Sequence, residues 1–317
     1  MPASFLKSFQ RLSTWAKVLF IFVVLLILVF AANRMVKNKV KEGFSEPFIQ
    51  GFSEDNQLVL KQDEEAFDKF YVNIYDELLY SKIKNEFEIG EIVDKTTPDS
   101  ASIILDIGSG TGHHAGALKD AGYEVQGVDI SPAMVAKASQ NYPKVPFHSG
   151  NVLKTMMFPS ESFTHITCLY FTIYQIKDKS LVFRNCYQWL MPGGHLIMHV
   201  VNREKFDPII PASSVMLGVS PQKYAKKRIT RSNVAFEDFD YKAEFEEIFP
   251  NDLAIFREVF KDKKSKRVRQ HEHNLYMPKH ESIIGLAKET GFIVTGKIDL
   301  KDVNYEHQYL VTLQKPE

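Results

Sequence analysis

The sequence predicts an α/β fold: a mostly parallel sheet with helices on both faces, interrupted by an antiparallel insertion and closed by an antiparallel hairpin. Three observations predict it. From residue 102 to residue 201, short apolar runs alternate with stretches of helical periodicity, the pattern of βαβ units. The first apolar run ends in Asp106 and then in glycines at alternate positions, Gly108, Gly110 and Gly112. Such a turn lets main chain approach a ligand that side chains would exclude. Residues 203–276 abandon the alternation for short runs of period two, and it resumes after Met277.

At the N-terminus, residues 1–17 form a basic flank with Lys7, Arg11 and Lys17, and residues 18–33 carry no charge and are almost wholly Val, Leu, Ile and Phe. As a helix this run spans about 24 Å, slightly short of a hydrocarbon core of about 30 Å. Trp15 suits the interface, and Lys17 and Arg34 can snorkel outward. The expectation is a single-pass membrane anchor. The competing reading is a cleaved signal peptide with Val29-Phe30-Ala31 as its cleavage site. Arg34, Lys37, Lys39 and Lys41 after the run favour a cytoplasmic position for the C-terminal side of the chain.

Residues 34–62 read as a polar linker, and residues 63–317 as one domain. Phe67, Phe70, Tyr71, Ile74 and Leu78 give residues 64–80 helical spacing, and a second helix covers 83–93. A strand at 102–105 precedes the glycine turn, a helix covers 113–121, and a strand at 124–128 ends at Asp129. A helix at 132–140 has Pro132 at an early position, where its missing N–H costs nothing. Strands at 145–148 and 163–170, a helix at 179–190, a turn at Pro192-Gly193-Gly194 and a strand at 195–201 complete the parallel part. Beyond the insertion come a helix at 280–290 and two strands, 292–299 and 305–314, close enough to form a hairpin.

Composition excludes some functions. The 317 residues have zero formal net charge, so nothing global points to nucleic acid and no DNA partner is expected. The basic run from Lys261 to Arg269 lacks interleaved aromatics; it reads as a solvated face, with anionic lipid a better partner than RNA. Cys168 and Cys186 make no disulfide framework, which fits a reducing compartment. His271-x-His273 would place two imidazoles on one face of a strand, but no third ligand is visible in the sequence, so no metal site is expected.

The turn and its flanking acids suggest a ligand. Asp129, at the end of the next strand, is placed to hold the two hydroxyls of a ribose. A dinucleotide fingerprint would need its third glycine where this chain has His113, and Asp106 would repel a pyrophosphate. An acid there suits a ligand with an ammonium, a sulfonium and no phosphate. On Leu105-Asp106-Ile107-Gly108-Ser109-Gly110-Thr111-Gly112, and on Leu190-Met191-Pro192-Gly193-Gly194 before a strand, the chain resembles the class I S-adenosylmethionine-dependent methyltransferases. The resemblance runs from about residue 102 to 201 and more loosely from 277 to 315.

That resemblance implies a Rossmann-like sheet of seven strands, with S-adenosyl-L-methionine as cofactor and methyl transfer as activity. It assigns cofactor contacts to Asp106, Gly108, Ser109, Gly110, Gly112, Asp129, Ile130, Asn151, Val152 and Leu169. Tyr71 and Tyr75, on a helix that closes over the cofactor, are candidates to face the sulfonium. Asn151 stands where the family has an acid, and its amide oxygen can still accept a bond from the adenine amine. Tyr174, His199 and, in the insertion, His271 or His273 are candidate bases, and the insertion would shape an acceptor pocket for a small or lipid-like molecule. Two alternatives stay open: a protein or RNA acceptor, and a non-catalytic module that recruits a partner to a membrane.

Overall fold

The computed structural model describes residues 58–209, 222 and 225–317, together with 13, 15, 17, 20 and 22–27. It divides into a first unit, residues 1–46, and a second, residues 47–317. In the first unit residues 15, 17, 20 and 22–27 are helical, and Phe20, Phe22, Leu25, Leu26 and Ile27 are exposed. Among the described residues no helix is long and apolar enough to cross a membrane. Residues 18, 19, 21 and 28–33 of the expected anchor lie outside the described residues, as do residues 34–57 of the expected linker.

The second unit contains the seven-stranded sheet. Its strands are β2 (Ile103–Ile107), β3 (Glu124–Asp129), β4 (Phe147–Ser149), β5 (Phe163–Cys168), β6 (Leu190–Val201), β11 (Ile293–Asp299) and β12 (Gln308–Gln314), in the order β11-β12-β6-β5-β2-β3-β4. The strands from β4 to β6 run parallel, and β12 runs antiparallel to both neighbours. This is the Rossmann-like α/β architecture, with the C-terminal hairpin at one edge. Central β2 is apolar because it is buried on both faces: Ile104, Leu105 and Ile107 are wholly enclosed. Each such side chain contributes roughly 1.5–3 kcal/mol on burial.

Among the described residues of this unit, seven helices connect or cover the strands: α1 (Lys69–Leu79), α2 (Lys82–Thr96), α3 (His113–Asp120), α4 (Pro132–Asn141), α5 (Thr172–Gln175), α6 (Lys179–Trp189) and α7 (His280–Thr290). The expected helix at 64–80 is two pieces. Asp68 caps α1 by accepting the N–H groups of Phe70 (3.1 Å) and Tyr71 (3.3 Å), and a separate 3-10 turn covers Asp63–Ala66. The expected turn at Pro192-Gly193-Gly194 lies inside β6, whose pairing with β5 shifts register between Phe163 and His165.

The insertion is an antiparallel sheet: β7 (Arg231–Ala235), β8 (Phe239–Ile248), β9 (Leu253–Asp262) and β10 (Val268–Tyr276). A fifth strand, β1 (Leu58–Gln62), pairs parallel with β10. Residues 58–62 are therefore not linker. Their partner lies some two hundred residues downstream, and five residues alone carry too little pattern to announce a strand. Helix α1 packs on the inner face of this sheet, with the Phe70 and Phe260 rings 5.4 Å apart and those of Tyr71 and His271 4.8 Å apart.

Candidate active site

The glycine turn lies at the carboxyl end of β2, where ligands of open α/β sheets bind. The N–H groups of Gly108 and Ser109 both donate to the Val128 carbonyl, at 2.8 and 3.0 Å, and tie the turn to β3. Gly108 and Gly110 have φ of +66° and +54°, in the left-handed region that favours glycine. They differ in their surroundings. A Cβ on Gly108 would overlap Thr172, whereas one on Gly110 would meet only Tyr75, at 3.9 Å. Gly110 thus presents bare main chain to an open space beside Tyr75.

Two acids flank the turn. Asp129 accepts the Gly110 N–H at one carboxylate oxygen and the Ser131 N–H at the other, both at 2.9 Å. It therefore holds the turn in shape as well as facing the ligand side, and each oxygen retains a lone pair for a hydroxyl. Burial raises its pKa, against the two main-chain bonds. Asp106 is buried at the end of β2 and accepts the Thr167 hydroxyl at 2.6 Å. Burial pushes its carboxyl up to about 6, opposed by His114 and by Thr167.

Helix α1 lies against the turn. Thr111 Oγ1 donates to Asp76 at 2.5 Å, and His113 Nε2 is 3.0 Å from the other Asp76 oxygen. The His113 ring stacks on Tyr80 at 3.7 Å and bonds Tyr142 through Nδ1 at 2.6 Å. An imidazole thus fills the position where a pyrophosphate site has its third glycine. Tyr75 faces the turn. Tyr71, one helical turn earlier, is instead enclosed by Phe67, Phe260, His271 and His273.

Behind the turn is a charged network that sequence reasoning missed. Lys84 and Glu88 on α2 form a fully buried pair at 2.5 Å, and Glu88 also meets His114 Nε2 at 2.8 Å. Burial pushes Glu88 upward, but Lys84 and His114 outweigh it and hold its carboxyl at about 2. The Lys84 ammonium stands 3.9 Å over the Tyr170 ring. The i,i+4 spacing of Lys84 and Glu88 was the available signal, and it is indistinguishable in sequence from an exposed helix pair.

The remaining candidates are spread out. Ile130 follows Asp129 at the end of β3, and Val152 and Leu169 are buried beyond β4 and β5. Asn151 spends its amide oxygen on the Leu153 N–H at 2.9 Å, which leaves one lone pair for another donor. Tyr174 does not reach the cleft. It is wholly enclosed, and its hydroxyl accepts the Val201 N–H at 2.8 Å. His199 is also wholly enclosed, bonds the Tyr170 carbonyl through Nδ1 at 2.5 Å, and is held neutral, at about 4, chiefly by burial. The Tyr174 hydroxyl is thus committed to Val201, whereas the His199 ring lies beside the Lys84–Glu88 pair. Ser109 Oγ is buried and has no partner among the described residues. That hydroxyl points toward Gly127, beneath the turn; the open space at Gly110 and the free lone pairs of Asp129 fit an adenosine-bearing ligand.

Residues 105–198 match the family described as a methyltransferase domain. A demethylmenaquinone methyltransferase of Chlorobaculum parvum is 34% identical over 114 residues, 36% of this chain and 44% of that protein. The dTDP-4-amino-2,3,4,6-tetradeoxy-D-glucose N,N-dimethyltransferase of Saccharopolyspora spinosa is 32% identical over 130 residues, 39% of this chain and 51% of that protein. The chain thus spans about half the length of the curated relatives it matches. Among solved structures, an S-adenosylmethionine-dependent methyltransferase from Clostridium acetobutylicum superposes with a TM-score of 0.59 at 19% identity, over 78% of this chain and 98% of that one. The fold is that of the S-adenosylmethionine-dependent methyltransferases.

Proposed function

We propose that this chain transfers a methyl group from S-adenosyl-L-methionine to a small or lipid-like acceptor, and that residues 18–33 tether it to a membrane with the catalytic domain on the cytoplasmic side. The observation that carries the reading is the pairing of bare main chain at Gly110 with Asp106 and Asp129 on adjacent strand ends, inside the segment that matches a methyltransferase domain. The activities for which the two relatives are named, on a demethylated quinone and on a nucleotide-linked amino sugar, support a small acceptor over a polymer.

When bound, the cofactor supplies an activated methyl on a sulfonium, so the protein mainly needs to hold donor and acceptor in line, an effect of roughly 7–11 kcal/mol. Asp129 would hold the ribose hydroxyls and Asp106 the ammonium. Tyr75 would offer its ring face on the side of Gly110, where a sulfonium is attracted by aromatic electrons. The turn's own N–H groups at Gly108, Ser109 and Gly110 are spent on Val128 and Asp129, so they shape the site and do not bind an anion.

Calorimetry on the full-length chain tests the reading. S-adenosylmethionine and its demethylated product should bind in the micromolar range, about −8 kcal/mol, and NAD far more weakly. Asp129→Ala should cost roughly 1.5–3 kcal/mol of affinity per bond lost, and also some thermal stability, because it releases Gly110 and Ser131. Tighter binding of NAD would overturn the assignment. The tether predicts resistance to carbonate extraction with the N-terminus retained; a soluble chain shortened by about thirty residues would instead mark a signal peptide.

A further inference from the structure

The inner face of the five-stranded sheet carries a second polar cluster, outside the cofactor site. In the register of β9 and β10, His271 stands directly opposite Glu258, and His273 lies two residues on, on the same face. Their ligand atoms all lie within 4.8 Å of one another. His273 Nε2 is 3.3 Å and His271 Nδ1 3.9 Å from the same oxygen, Glu258 Oε2. Glu258 and His271 are wholly enclosed, and His273 is 6% exposed. Glu258 Oε2, His271 Nδ1 and His273 Nε2 have no hydrogen-bond partner among the described residues. Three buried polar atoms converge unpaired, although burial without a partner is costly for each.

We propose that Glu258, His271 and His273 bind a divalent transition-metal ion of the zinc class. Two imidazole nitrogens and one carboxylate oxygen are the donor set of zinc sites that keep a fourth position open, and imidazole disfavours Mg2+ and Ca2+. Bonds of about 2.0–2.1 Å draw tetrahedral ligand atoms to about 3.4 Å apart, a contraction of the present spacing within reach of side-chain rotation. The carboxylate is already aimed: Tyr241 donates its hydroxyl to Glu258 Oε1 at 2.7 Å, which leaves Oε2 turned toward the imidazoles. Phe67, Phe256 and Phe260 form an apolar shell around the two rings, and Tyr71 packs on both while its hydroxyl bonds Glu258.

One neighbour opposes the ion. Arg269 donates from Nε to His271 Nε2 at 2.8 Å, so in the metal-free chain the His271 proton sits on Nδ1, the atom the metal needs. Metal entry moves that proton to Nε2, and Arg269 must release His271 while keeping its pair with Asp68 at 2.5 Å. The site is therefore built to bind with Arg269 as a brake. The brake distinguishes a built site from accidental histidine chelation, because removing it should tighten binding.

The full-length chain, stripped with a chelator and titrated with ZnCl2 against a chromophoric competitor, should hold one zinc per chain. Co2+ should give the intense visible bands of a four- or five-coordinate site, a readout on wild-type protein that no folding defect can confuse. Glu258→Gln and His273→Gln should each weaken zinc by more than about 100-fold, and Arg269→Gln should tighten it by about tenfold. Absence of a stoichiometric ion, a Co2+ spectrum of octahedral water, or zinc affinity indifferent to Glu258→Gln and His273→Gln would overturn the proposal. Cofactor calorimetry on the same samples keeps this outcome separate from that of the methyltransferase reading.

Discussion

Helix α1 touches two buried polar regions built on opposite principles. On the side of the glycine turn every acid has partners: Asp129 holds two main-chain N–H groups, Asp106 holds Thr167, and Glu88 holds Lys84 and His114. On the side of the five-stranded sheet, Glu258 has one oxygen met by Tyr241 and the other left facing two unpaired imidazole nitrogens. The first network is closed: its charges are satisfied within the chain. The second is open, and its atoms are satisfied only by something the chain does not supply. A buried charge is costly to disturb where it is paired and cheap to remove where it is not.

The largest expected effect tests that contrast directly. Lys84→Met should strand Glu88 and cost about 3–5 kcal/mol in denaturant unfolding, and Lys84→Met with Glu88→Leu should recover most of it, since two apolar residues replace the pair. Glu258→Gln in metal-free protein should change stability by less than about 1 kcal/mol, because the amide oxygen can still accept the Tyr241 hydroxyl. Equal losses in Lys84→Met and Glu258→Gln would erase the distinction between closed and open networks.

A smaller effect separates the two jobs of the turn. Gly108→Ala combines a positive φ with overlap on Thr172 and should cost roughly 2–4 kcal/mol of stability. Gly110→Ala carries the conformational strain alone, about 1 kcal/mol, and should instead lose cofactor affinity, because its methyl enters the space beside Tyr75. Should Gly110→Ala bind cofactor as wild type does, the ligand does not approach the turn there.

The smallest effect is one of pH. Burial holds the Asp106 carboxyl up to about 6, so it ionises only above that value and attracts an ammonium only when ionised. Affinity for S-adenosylmethionine should be flat above pH 7 and fall by about tenfold per unit below pH 6, and Asp106→Asn should flatten the profile. A profile in wild type identical to that of the Asn variant would assign the ammonium to another group.

The features legible in the sequence were local ones. Asp106, the three glycines and Asp129 lie within 25 residues, and strand, turn and strand end fix their relation by chain geometry alone. The antiparallel insertion was legible for the same reason, from period-two runs. Glu258 was not, because its relation to His271 is a register between strands that no spacing encodes. Thr167 and the bond between His114 and Glu88 were hidden likewise, each contact joining distant segments. Tyr174 reads as a candidate base because it comes just after a strand end; the single turn of α5 rotates it into the core, where its hydroxyl accepts the Val201 N–H.

Strand β1 sets a schedule for synthesis. Gln62 donates to Glu272 across 210 residues of chain, and β1 pairs with β10 at the edge of its sheet. At about 5–20 residues per second, a ribosome needs on the order of 10–40 s between making β1 and making β10. Throughout that interval Leu58 and Leu60, exposed even in the finished fold, belong to an unpaired edge. β12, which joins β11 to β6 in the larger sheet, is made later still. Nascent chains stalled before residue 268 should therefore occupy holdase chaperones, and slowing translation upstream of β10 should lower the yield of folded protein more than slowing it downstream.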